Sequence, residues 1–234
     1  MDFKTCDWNF CFDEFFDYAK SLSDEKYRDF SKKLIPGDFV MLGINIPTLK
    51  KIAKKIRTGD YDTFLKIDDR GIFELKFLKG QVIALSTDAD EYERRFKSYL
   101  NSITDWSICD SFVASSKVIK KDPERFFSMA VDLLQEENEF ANRVGFVIML
   151  DYFVKDEYLN RILDTIKSYH SEYRYANMAL SWLLSVLYVK YPSIIFDYLK
   201  ETSFSREVIR MSIRKIRDSY RVTIEDKDKL KELL

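Results

Sequence analysis

The sequence predicts an all-α fold, a HEAT-like helical-repeat solenoid, on three observations. Apolar residues recur at helical spacing almost without a break along the chain. Six glycines and four prolines in 234 residues leave room for little beyond short connections between helices. No run of alternating apolar and polar residues marks a strand. Paired helices with short turns stack as hairpins; no obvious repeated motif recurs, and the degenerate HEAT period of about 40 residues is the one to test. The expected form is one domain over residues 1–234, curved around a concave groove.

Taken in order, the periodicity predicts helices over 10–20, 24–35, 48–57, 60–67, 72–86, 89–100, 105–118, 123–134, 138–153, 157–168, 173–190, 192–200, 205–220 and 225–234. Residues 36–57 read as an irregular link containing Gly43, then a helix opened by Pro47. There Leu49, Ile52, Ala53 and Ile56 turn inward and Lys50, Lys51, Lys54, Lys55 and Arg57 outward. Such a lysine face is either a solvated surface or a phosphate-contacting one.

Hydrophobic residues at 46% and charged residues at 33% describe a globular chain with a sizeable core. No apolar run is long enough to span a membrane, and the start, MDFKTCDWNF, lacks a secretory pattern. Cys6, Cys11 and Cys109 show neither metal-ligand spacing nor an even disulfide count, so a reducing cytoplasm is expected. His170 is the only histidine, in a loop-like segment, and no phosphate-binding glycine motif exists. Metal-dependent, nucleotide-dependent and acyl-transfer chemistries therefore have little support. The net charge of −1 is low for a nucleic-acid binder, so that case rests on local clusters.

Four residues stand out. In NSITDWSICDSFVASSK (101–117), Thr104 is the expected N-cap, and Ile108, Cys109, Phe112 and Val113 form an apolar arc. Trp106 and Asp110 sit together at its edge, either as core indole and surface acid or as a working pair. In EFANRVGFVIMLDYF (139–153), Arg143 falls inside the arc of Phe146, Val147, Leu150 and Phe153. A guanidinium there needs an anionic partner, and Asp110 is the candidate. Trp182 shares an arc with Met178, Val186 and Val189. Trp106, Arg143 and Trp182 follow at intervals of roughly 37 and 39 residues, close to one repeat. Equivalent helices would carry them to one groove, unless the spacing is chance.

Near the C-terminus, Arg206, Arg210, Arg214, Arg217 and Arg221 fall within an arc of about 80° beside a stripe of Ile209, Ile213, Ile216 and Tyr220. Such a ridge suits a polyanion, or else Glu207, Asp218 or another helix neutralises it.

In this order, these segments resemble the DNA alkylation repair family of HEAT-like-repeat DNA glycosylases. The likeness runs from Gly43, Pro47 and TLKKIAKKI through the W-x-x-x-D pair, FANR and ALSW to the arginine-bearing helix. It implies hydrolytic excision of N3- or N7-alkylated purines from double-stranded DNA, a reaction that requires no metal or cofactor; a monomer is expected. It also implies that Trp106, Asp110 and Trp182 contact the lesion's deoxyribose and that Arg143 supports them. Phe140 stands where relatives often have tryptophan, and Met178 and Ser185 where they are often basic. The alternative is a non-catalytic helical-repeat scaffold.

Overall fold

A computed structural model describes residues 3–8, 11–35 and 37–234 of the chain. Among the described residues it contains fourteen α-helices: α1 (Phe12–Ser21), α2 (Glu25–Leu34), α3 (Ile46–Ile56), α4 (Tyr61–Lys66), α5 (Phe73–Ala84), α6 (Ala89–Tyr99), α7 (Trp106–Ser115), α8 (Pro123–Leu133), α9 (Glu139–Tyr152), α10 (Asp156–Ile166), α11 (Arg174–Lys190), α12 (Pro192–Glu201), α13 (Arg206–Asp218) and α14 (Ile224–Lys229). The described residues include no strand, only an isolated bridge between Val40 and Ile72. The fold is an all-α helical repeat. Every expected helix is present, with ends displaced by a few residues; residue 10 and Pro36 lie outside the described residues.

Capping chemistry fixes most starts. Asp24, Asn45, Asp60, Asp88, Asn138, Ser205 and Thr223 each accept a backbone N–H from the first turn that follows. That bond satisfies a donor the helix itself leaves unpaired. For α7 the cap is Asp105 and not Thr104, because Asp105 accepts from both Ser107 and Ile108 while Thr104 is exposed.

The chain divides into two compact units, Met1–Asp122 and Pro123–Leu234. In the first, α3 packs on α5 and α5 on α7. Leu49, Ile52, Ala53 and Ile56 are buried as expected, and Ile108, Cys109, Phe112 and Val113 are buried on α7. The rings of Tyr92, Phe96 and Phe112 lie nearly parallel, with centroids 5.6–6.2 Å apart. Each such ring removes a large apolar area from water, which fixes α6 against α7.

Two sequence expectations need correction here. Cys6 and Cys11 form a disulfide beside the Phe3, Trp8, Phe15 and Phe64 cluster, so the odd cysteine count hid a pair. Cys109 lies outside the disulfide, buried in α7. Arg57 does not face outward: its guanidinium makes a bidentate contact with Glu91 at 2.9 and 2.7 Å. With Arg57 first among the causes, the Glu91 carboxyl is held well below the usual carboxylate range.

The link before α3 is built on a buried carboxylate. Glu74, 1% exposed on α5, accepts backbone N–H bonds from Leu42, Gly43 and Ile44. Three donors converging on one charge satisfy it away from water and aim the first turn of α3. Gly43 stands there at φ +93°.

In the second unit, α9 packs on α8 and α11, and α11 on α12 and α13. Every residue of α9 from Ala141 to Met149 is buried, so its apolar surface runs all round rather than along one stripe, and Leu150 is only half-buried. Asn142 bonds the carbonyls of Leu133 and Glu136 through its amide nitrogen and accepts from the Tyr169 hydroxyl.

Candidate functional site

On α7 the Trp106–Asp110 pair sits where the spacing predicted, one turn apart and half-buried, beside the buried arc. The Trp106 indole N–H donates to the Leu34 carbonyl at 3.2 Å. The end of α2 thus fixes the indole's orientation, a contact across 72 positions that no local pattern signals.

Asp105, immediately before Trp106, is 2% exposed. Its Oδ1 accepts from Ser107 at 2.8 Å and Ile108 at 3.0 Å, and among the described residues its Oδ2 has no hydrogen-bond partner. Burial pushes this carboxyl up to about 6, against the two backbone hydrogen bonds and with Asp110 adding to the rise. A folded value above the ordinary one means that its stabilisation is complete below the ordinary carboxylate range and is lost as pH rises through about 6. Denaturant melts from pH 4 to 8 should show the parent losing roughly 2–3 kcal/mol relative to Asp105→Asn. Parallel pH profiles would mean that Asp105 does not titrate in this range.

Lys51, Lys54 and Lys55 are exposed on α3, while Lys50 is half-buried. Burial first, then Lys117 and Lys54, lowers the Lys50 pKa. Lys117, just beyond α7, therefore belongs with this cationic group, though its distance in sequence hid it.

In the second unit, Arg143 is 5% exposed and its Nη1 donates to the Tyr175 carbonyl at 2.9 Å. Glu139 Oε1 accepts from the Tyr175 N–H at 2.6 Å, and Phe140 stacks on the Tyr175 ring at 5.6 Å. One turn of α9 thus grips the start of α11 by three contacts.

Met178, Trp182, Val186 and Val189 do share an arc, and all four are only half-buried, whereas most of α11 is buried. A cleft of about 600 Å³ opens there, lined by Trp182, Ser185, Val186, Val189, Lys215 and Arg221 among others. The Lys215 ammonium lies 5.8 Å from the Trp182 ring. An indole with cations around it offers a flat apolar face beside anion-binding groups. Sequence reasoning passes over Lys215 because it lies off the arginine arc.

Arg206, Arg210, Arg214 and Arg217 are exposed along α13. Among the described residues, none of the five arginines forms an ion pair, with Glu207, Asp218 or any other acid; Arg217 acts on Asp228 at longer range. Arg221 departs from the expected ridge. The helix ends at Asp218 and Ser219 turns extended, which carries Arg221 to the Trp182 cleft. The same break leaves Tyr220 fully exposed instead of in the apolar stripe.

Among the described residues, no group of three or more His, Cys, Asp or Glu could hold a metal ion, and no helix is long and apolar enough to cross a membrane. None of the curated proteins matches this chain. The model of the family described as DNA alkylation repair enzyme matches residues 19–216. With most of its length matched, the chain belongs to the DNA alkylation repair enzyme family.

Proposed function

We propose that the protein is a DNA glycosylase that releases N3- and N7-alkylated purines, such as 3-methyladenine and 7-methylguanine, from duplex DNA. The observation that carries this reading is the half-exposed Trp106–Asp110 pair in a chain of the alkylation repair family. Alkylation at N3 or N7 leaves the purine positively charged, so it departs with the bonding electron pair without needing a proton. The sugar passes through an oxocarbenium-like state, and water adds at C1′ to leave an abasic site. In this reading Asp110 stabilises the sugar cation and orients the water. The faces of Trp106 and Trp182 pack on the deoxyribose, and Arg143 supports them. No metal or cofactor takes part, and the enzyme acts as a cytoplasmic monomer with a HEAT-like groove around the duplex.

Lys50, Lys51, Lys54 and Lys55 on α3 and Arg206, Arg210, Arg214, Arg217 and Arg221 hold the phosphates. That the five arginines form no ion pair among the described residues supports this, because their donors are available to a polyanion. Changing Arg210 and Arg214 together to Ala should weaken binding to damaged and undamaged duplexes alike. The slope of log affinity against log salt should flatten by about 0.9 for each phosphate that is no longer neutralised. An unaltered slope would remove the ridge from the DNA-binding surface.

Base release is the direct assay: free 3-methyladenine or 7-methylguanine separated from an alkylated duplex after incubation with the protein. Tight duplex binding with no release from any alkylated substrate would favour a non-catalytic scaffold.

A further inference from the structure

We propose that the cleft between α4, α5 and α6 is a second anion site that takes a phosphate group. It has a volume of about 510 Å³ and lies wholly in the first unit. Its walls carry Lys66, Lys79, Arg94 and Arg95 against a single carboxylate, Asp62. None of the residues assigned above to the lesion or to DNA phosphates lines it.

The four cations differ in what already occupies them. Arg95 is held by Glu91 at 3.0 Å and by Asp62, so its guanidinium is a fixed part of the wall. Lys66 is exposed and acts on Asp60 from a distance. Lys79 is half-buried and its ammonium donates to the Ile67 carbonyl. Burial lowers its pKa, with Asp69 and Asp68 offsetting part of that from outside the cleft wall. Arg94 is exposed, and among the described residues it forms no ion pair.

Lys79 therefore retains two N–H donors and Arg94 a whole guanidinium, facing the same space over a floor that includes Leu65 and Ile83. A charge half-removed from water and satisfied by one carbonyl gains most from an anion that brings its own charge. A phosphate has enough acceptor oxygens to meet a guanidinium fork and an ammonium at once, and the apolar floor strengthens both contacts. The phosphate could arrive on a small molecule or as part of a DNA strand, and the chemistry recognised is the same.

The test titrates the intact protein with inorganic phosphate at constant ionic strength, by calorimetry, with undamaged duplex binding measured in parallel. Saturable phosphate binding is expected. Arg94→Gln, an exposed position that leaves the fold intact, should weaken it about tenfold, the worth of one charge-assisted hydrogen bond. Adding Lys79→Met should abolish it. Unchanged duplex affinity in Arg94→Gln would assign the site to a free phosphate-bearing molecule; a parallel fall in duplex affinity would assign it to DNA. No saturable binding by the parent, or the same phosphate affinity in the double variant, would overturn the proposal.

Discussion

Replacing Asp110 with Asn should slow release of 7-methylguanine by roughly 10²–10³-fold, about 3–4 kcal/mol of transition-state stabilisation. The substitution keeps the shape of the side chain and removes only its charge. The expectation follows from where charge develops: the purine leaves neutral, and the sugar becomes positive as the bond breaks. In the proposed mechanism the carboxylate at the edge of α7, one turn from an indole held by the Leu34 carbonyl, meets that charge as it appears. Duplex affinity should change little, since a carboxylate near phosphates does not add to binding. A melting curve must accompany the assay, because Asp110 has electrostatic partners in the fold. A folded Asp110→Asn protein with parental release would reduce Asp110 to a structural acid.

Gly43→Ala should lower stability by about 2–4 kcal/mol, one of the largest effects expected from adding a single methyl group. At φ +93° an L side chain is strained, and the added Cβ would lie 2.4 Å from the Asp24 carbonyl oxygen and 2.8 Å from Arg28 Cβ. A backbone oxygen cannot swing aside as a flexible side chain would. The melting temperature should fall by roughly 5–12 °C for a chain of this size. Gly71 supplies the control, with φ +68° and nothing within 4 Å of an added Cβ. Gly71→Ala should cost only about 1–2 kcal/mol, the conformational term alone. Equal losses at the two positions would show that the close approach of Asp24 to Gly43 is not rigid.

The helices are legible in the sequence because their signals are local. Leu49, Ile52, Ala53 and Ile56 announce one buried face, and caps such as Asn45 and Asn138 mark where turns begin. The Trp106–Asp110 edge is legible for the same reason, since helical geometry alone places residues four apart side by side. The arginine ridge holds only as far as the helix lasts. Arg221 joins it, and Tyr220 the apolar stripe beside it, only when the periodicity is extended past Asp218, and the extended Ser219 breaks that periodicity.

What the sequence conceals depends on contacts between distant residues. Arg57 looks like the last cation of the α3 lysine face until Glu91, 34 positions on, takes its guanidinium. No local pattern marks Glu74, whose buried charge is satisfied by three backbone N–H groups around Gly43. Trp182 with Met178, Val186 and Val189 looks core-facing, because periodicity identifies a stripe and not what covers it. Counting cysteines argues against the disulfide between Cys6 and Cys11, but a count says nothing about which two of three meet.

The measurement that bears most directly on the central claim compares two lesions in one duplex sequence, 7-methylguanine, which is cationic, and O6-methylguanine, which is neutral. In the proposed mechanism Asp110 stabilises the sugar without protonating the base, so only a base that already carries positive charge is a good leaving group. The predicted result is release of 7-methylguanine with an abasic site left behind, and no release of O6-methylguanine above background. Release of both at similar rates, or of neither by a protein that binds the duplex, would contradict it.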